Sequence, residues 1–128
     1  MDTNRVKSLL CLSLLLALTS VGLQASGPRK SKPRLTGTLV DIACATDPKR
    51  NLTKLRSEHT RKCLLMPICE ESGYALLTER DEVLRLDAKG NKLAKKLIEQ
   101  SLHNQGWRIS IEGTVEGDQL TVQRIHWR

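Results

Sequence analysis

Three thiols and one imidazole, Cys44, His59, Cys63 and Cys69, fall within a short stretch in the spacing C-x14-H-x3-C-x5-C. A Cys3His set suits tetrahedral zinc, and copper less well, since thiolate and imidazole serve both and only Met66 leans toward Cu(I). The same sulfurs can oxidise instead, tying Cys44 to Cys63 or Cys69 in a bridge that closes a long loop and stabilises a small domain by roughly 3 kcal/mol. Cys63 beside His59 also has the residue types of a nucleophile and its base. The compartment and the odd number of sulfurs weigh between these chemistries.

The start of the chain supplies the compartment. Arg5 and Lys7 precede an apolar run from Leu9 to Leu18, and small residues follow up to Ala25. That order is a secretory signal peptide over residues 1–25, with cleavage after Ala25 competing with cleavage after Gly22. The run is about ten residues, whereas a bilayer crossing needs roughly 20, so no transmembrane anchor is expected. Cys11 leaves with the signal, and the mature chain keeps three cysteines. Outside the cytosol thiols oxidise or bind metal, and an odd sulfur is left to be buried or to link two chains as a dimer. The expected location is the periplasm or the exterior.

Removing residues 1–25 takes Arg5, Lys7 and Asp2 from the 21 basic and 14 acidic residues, so the net charge of +7 falls to +6. Four of those positives, Arg29, Lys30, Lys32 and Arg34, sit in residues 26–34 with Gly27, Pro28 and Pro33. This segment has no apolar residues with which to bury itself and reads as a disordered basic linker. The domain from 35 to 128 then carries only about +2, which is no nucleic-acid footprint. Tyr74, Trp107 and Trp127 are its only aromatics and there is no Phe. The stacking platforms of an oligonucleotide-binding surface are missing, and no nucleic-acid partner is expected.

The elements that must position the cysteines follow from periodicity. Leu35 to Ile42 is rich in β-branched residues and predicts a first strand ending near Cys44. Asp47-Pro48 is a helix-starting pair, and on a wheel of 100° per residue Leu52, Leu55, His59, Cys63 and Met66 share one stripe. Ser57-Glu58 begins a second helix or continues the first; a helix there turns His59 and Cys63 inward together and ends at Met66-Pro67. Tyr74–Thr78 and Glu82–Leu86 predict a hairpin. Asp87 caps a second helix carrying Leu93, Leu97, Ile98 and Leu102, with its lysines toward water and Gly106 as its end. Strands at Trp107–Val115 and Leu120–Trp127 close the chain, and the step from Val122 to Ile125 breaks the two-residue period and predicts a bulge. Asp41 is either an outward strand residue or a helix cap. The order β-α-β-β-α-β-β predicts a mainly β fold with two helices, a five-stranded OB-like barrel, with an open antiparallel sheet as the alternative.

The runs GTLVDIAC, HTRKC, MPIC, SGYALLT, VLRLD and ISIEGTVEGDQLTVQRI resemble a group of small exported bacterial proteins in which a strand-ending cysteine, a histidine-cysteine pair and a further cysteine recur. The resemblance covers Leu35 to Trp127 and maps those positions onto Cys44, His59, Cys63 and Cys69. It implies an OB-like fold and export, and it carries no established activity.

Catalysis is the weakest of the chemistries. His59 and Cys63 on one helix stack alongside each other, and neither a third residue nor an oxyanion hole is visible in the sequence. There is no C-x-x-C for disulfide exchange and no C-x-x-C-H for haem. His103 and His126 stand alone, and Asn51-Leu52-Thr53 is a glycosylation acceptor left bare in a bacterial envelope. The expectation is therefore a non-enzymatic binding or structural module of the bacterial envelope, for a small ligand or another envelope protein, held by Cys44, Cys63 and Cys69. The alternative is a metal-binding protein that takes zinc, or less readily copper, on Cys44, His59, Cys63 and Cys69.

Overall fold

The structure, a computed structural model, describes residues 32–128, all within one compact unit. The signal peptide expected over residues 1–25 and the linker up to Ser31 lie outside the described residues. Five strands form the frame: β1 (Arg34–Asp41), β2 (Tyr74–Leu77), β3 (Val83–Leu86), β4 (Arg108–Glu116) and β5 (Gln119–Trp127). They close into a ring in the order β1-β2-β3-β5-β4, with β4 returning to β1. All neighbours are antiparallel except β3 and β5, which meet in a short parallel contact at Arg85↔Gln119 and Leu86↔Leu120. The sheet is therefore closed, unlike the open alternative.

Closure depends on one strand serving two neighbours. The first half of β1 pairs with β4 through Arg34–Thr38 and the second half pairs with β2 through Thr38–Asp41. Near the changeover stands Gly37, where a Cβ would meet the Leu77 carbonyl oxygen at 2.4 Å. Only glycine lets the backbones come that close. A second close approach occurs at Gly113, where a Cβ would meet the Thr121 carbonyl oxygen at 2.3 Å. Here the β4–β5 register slips, with Glu112 opposite Arg124 but Gly113 opposite Val122. Gln123 is the extra residue, so the bulge predicted between Val122 and Ile125 is present, and it bends the long hairpin into the ring.

Arg34, assigned from the sequence to the linker, is instead the first residue of β1, and its guanidinium sits 2.7 Å from Glu112 Oε1. The helices differ more from expectation. One helix, or a second begun at Ser57-Glu58, is expected between the first two strands, but four short ones lie there: α1 (Ile42–Ala45), α2 (Leu52–Glu58), α3 (Arg61–Leu64) and α4 (Pro67–Ser72). Each break coincides with a residue that satisfies the next helix start. Asp41 accepts from the Cys44 amide, Asn51 from the Lys54 amide and Thr60 from the Cys63 amide, and Pro67 opens α4. Such side chains compete with continuing the helix because they bond the free N–H groups of a new one. Asp47-Pro48 makes a turn, with Asp47 bonded to the Lys49 and Arg50 amides, and does not start a helix.

The last helix, α5 (Ala88–Gln100), begins as predicted, with Asp87 accepting from the Gly90 amide at 2.8 Å. It ends at Gln100, short of Gly106, and Leu102 is fully exposed rather than part of its buried face. Leu39, Leu76, Trp107, Ile109, Ile111, Leu120 and Val122 fill the ring interior, with Ala94 and Ile98 of α5 closing on them. Val40, Ala75 and Leu77 point out of the ring and are covered by Cys44, Ala45, Leu55 and Cys69 of the four-helix insertion. β1 is thus buried on both faces where it ends. The core consequently continues from the ring into the insertion.

Candidate functional site

Asp41 is the last residue of β1 and has no solvent exposure. A carboxylate so placed must be fully partnered, because an isolated buried charge is costly. One oxygen, Oδ1, accepts the Cys44 amide at 2.8 Å as the cap of α1. The other, Oδ2, lies 2.7 Å from His59 Nε2. Burial alone would raise the Asp41 pKa. The His59 and Cys44 hydrogen bonds and the attraction of His59 outweigh it, and the carboxyl sits below its ordinary value of 3.8. Asp41 is therefore an acceptor, and the ring nitrogen donates to it.

Two thiols reach the same carboxylate. A carboxylate oxygen of Asp41 and the Sγ atoms of Cys44 and Cys69 lie within 4.8 Å of one another, and all three residues are buried. The thiol of Cys44 is pushed up to about 12, first by burial and then by the Asp41 charge and hydrogen bond. Cys69 is raised by the same causes in the same order. Both therefore remain protonated thiols at neutral pH and are poor nucleophiles, since the thiolate is the reactive form. All three cysteines of the described residues are free, Cys44 and Cys69 buried and Cys63 partly exposed.

Neighbouring contacts hold the cluster in place. The Ile42 amide bonds the Gly73 carbonyl at 2.9 Å, and the Ala43 amide bonds Ser72 Oγ at 3.1 Å, fastening α1 to the end of α4. The Ser72 hydroxyl in turn donates to the Cys69 carbonyl at 2.7 Å. Arg61 donates from Nε and Nη2 to the Ile98 and Glu99 carbonyls at the end of α5, both at 3.0 Å. Tyr74 donates its hydroxyl to the Leu64 carbonyl at 2.9 Å, and burial together with nearby acids raises its pKa to about 12. These ties fix α3 and α4 against the ring, and with them the position of Cys69.

His59 and Cys63 do not share a helical face. His59 caps the end of α2 in an extended conformation, with φ −66° and ψ 118°, and the extended cap Thr60 then begins α3. The predicted stripe breaks between the two residues. His59 is drawn under the insertion by Asp41, while Cys63 stays partly exposed. Both line a cleft of about 490 Å³, together with Lys49, Arg50, Asn51, Lys54, Leu55, Glu58 and Thr60. Among the described residues no hydrogen bond joins Cys63 to His59. Asp41 supplies the acid that a cysteine–histidine pair needs as its third member, but among the described residues the nucleophile-to-base contact is absent.

Comparison with protein-family models, curated proteins and solved structures finds no match for this chain.

Of the four residues singled out by spacing, Cys44 and Cys69 meet directly. His59 joins them through Asp41, and Cys63 lies on the cleft side of His59. Sequence reasoning missed Asp41 as the hub. The available signal was an acid at the end of a strand that is otherwise apolar or β-branched, three residues before a cysteine, which is the spacing of a cap reaching the third helical amide. Met66, the residue that leaned toward copper, is exposed. Among the described residues no helix is long and apolar enough to cross a membrane.

Proposed function

We propose that this chain is an exported, non-enzymatic binding module of the bacterial envelope, built on an OB-type barrel and fastened by a Cys44–Cys69 disulfide. The ring order β1-β2-β3-β5-β4, with a helix between the third and fourth strands, supports the OB reading. The single observation that carries the fastening role is the approach of the Cys44 and Cys69 sulfurs to within 4.8 Å, buried between α1 and α4. Under oxidising conditions such a pair joins, and the bridge removes conformational freedom from the unfolded chain. Cys63 is then the odd sulfur and the point at which two copies can link.

The experiment is to secrete the full chain into an oxidising compartment and measure its intact mass with and without reductant. Peptide mapping after alkylation follows. The expected result is a protein lighter by two hydrogens that yields a Cys44–Cys69 peptide pair and an alkylated Cys63. Three alkylated cysteines, or a pair that includes Cys63, would refute the fastening role.

A second reading is favoured by the presence of Asp41 in the same cluster. A carboxylate oxygen and two sulfurs that converge within 4.8 Å form three sides of a tetrahedral site. In this reading zinc sits on Asp41, Cys44 and Cys69, and the His59 bond orients Asp41 from behind. Zinc is preferred to copper because the carboxylate is a hard ligand. Elemental analysis of the same secreted sample separates the two readings, since three free thiols with stoichiometric zinc exclude the disulfide.

A further inference from the structure

We propose that the cleft above His59 is a binding site for a small oxyanionic molecule, one that carries phosphate or carboxylate groups. This inference rests on the reading of the chain as a binding module and names the class of ligand it takes.

The cleft, about 490 Å³, has the size of a small-molecule site and lies on the insertion outside the closed ring. Its charged lining is Lys49, Arg50, Lys54 and a single acid, Glu58. Lys49 and Lys54 make no ion pair among the described residues, and Arg50 reaches only Asp47, at 3.9 Å on the surface. Five arginines outside the cleft are answered by acids. Arg34 and Arg124 lie on Glu112, Arg56 on Asp81, Arg85 on Asp118 and Arg108 on Glu79. A concave surface with an excess of one sign concentrates the field and raises the local concentration of counter-ions.

The uncharged polar groups point to the same ligand. Asn51 Oδ1 is committed to the Lys54 amide at 3.1 Å, so the side chain has its NH2 group left to offer. Thr60 Oγ1 accepts the Cys63 amide at 3.2 Å and keeps its O–H to donate. On these two residues the acceptor is used internally and the donor remains. Apart from Glu58, the cleft thus presents two ammonium groups, a guanidinium, an amide NH2 and a hydroxyl. That is a set matched to oxygen acceptors bearing negative charge. A cationic ligand would instead meet an excess of like charge on this wall.

The test uses the full secreted chain and two probes, inorganic phosphate and citrate, with choline as the cationic control, followed by backbone amide chemical shifts. The expected result is saturable shifting of amides between Lys49 and Cys63 by one or both anions, with an affinity on the order of 1 mM, and none by choline. Lys49→Ala with Lys54→Ala should weaken binding roughly tenfold, about 1.4 kcal/mol. Lys92→Ala with Lys96→Ala, on exposed α5 positions, should leave it unchanged. These substitutions remove exposed side chains without touching a cap or the core, so the fold is retained. Absence of saturable shifts, equal loss in the α5 variant, or shifts confined to the ring strands would overturn the proposal. A Cys44–Cys69 peptide pair in the same preparation would then show that the cleft assignment alone had failed.

Discussion

His59 Nε2 meets Asp41 Oδ2 at 2.7 Å with both side chains buried, 18 residues apart in the chain. This bond joins the end of a ring strand to a break between two helices of the insertion. It also links the buried thiols on one side to the cleft on the other. Removing one partner of a buried pair leaves the other uncompensated, which costs far more than the pair contributes net.

Asp41→Asn should therefore destabilise the fold by about 1–3 kcal/mol, the usual cost of leaving a buried hydrogen-bonding group without its partner. Urea denaturation followed by circular dichroism measures it. A loss below about 1 kcal/mol would show that the pair is not what anchors the insertion.

The same carboxyl gives a pH dependence with a fixed sign. Its folded pKa lies below 3.8, so it contributes stability above that value and loses it as pH falls through the lower, folded value. Thermal unfolding of the parent should drop more steeply than that of Asp41→Asn as the pH is lowered beneath about 4. Parallel curves for the two proteins would contradict this.

The three sulfurs should differ in reactivity in the reduced, folded protein. Cys63 is partly exposed on the cleft, whereas Cys44 is buried with a thiol pushed up to about 12, and Cys69 is raised for the same reasons. Iodoacetamide near neutral pH should modify Cys63 first, by roughly tenfold or more over the other two. Mass spectrometry of timed samples reads the order, and faster labelling of Cys44 or Cys69 would refute the burial argument.

Gly37→Ala tests the closure of the ring. The added Cβ would meet the Leu77 carbonyl oxygen at 2.4 Å, and backbone cannot swing aside as a side chain does. A loss of about 1–3 kcal/mol is expected in the same urea assay, the range for forcing extra volume into a packed site. An unchanged midpoint would mean that the β1–β2 approach is looser than described.

Thr60→Ala removes the cap that separates α2 from α3. Loss of the bond from the Cys63 amide to Thr60 Oγ1, 3.2 Å in the parent, should cost about 1 kcal/mol. Thr60→Ser, which keeps the hydroxyl, should retain most of the stability. Equal losses in both variants would assign the effect to the methyl group instead.

Much of the frame was legible in the sequence because strands and caps leave local marks. The β-branched run of β1, the hairpin of β2 and β3, the Asp87 cap of α5 and the broken period at Val122 to Ile125 all depend on residues close together in the chain. The gathering of sulfur near one end of the first strand was legible in the same way, from Cys44 just past that strand, which ends at Asp41 and not near Cys44, and Cys69 preceding the next. By itself the sequence also set the composition of the cleft wall, since Lys49, Arg50 and Lys54 are near neighbours.

Only the tertiary structure decided which groups meet. The helical stripe through Leu52, Leu55, His59, Cys63 and Met66 is a true periodicity, yet Thr60 capping and the pull of Asp41 on His59 break it into two helices. The Thr60 cap bond and the buried Asp41–His59 hydrogen bond outweigh the small propensity gain of one continuous helix, and the choice of Asp41 as the partner of His59 is not written in local spacing. For the same reason Asp41 looked like a strand residue or a cap until the fold placed it against His59, Cys44 and Cys69. Contacts across 18 or more residues arise from how the closed ring and its insertion pack, and that packing set the neighbours of each sulfur.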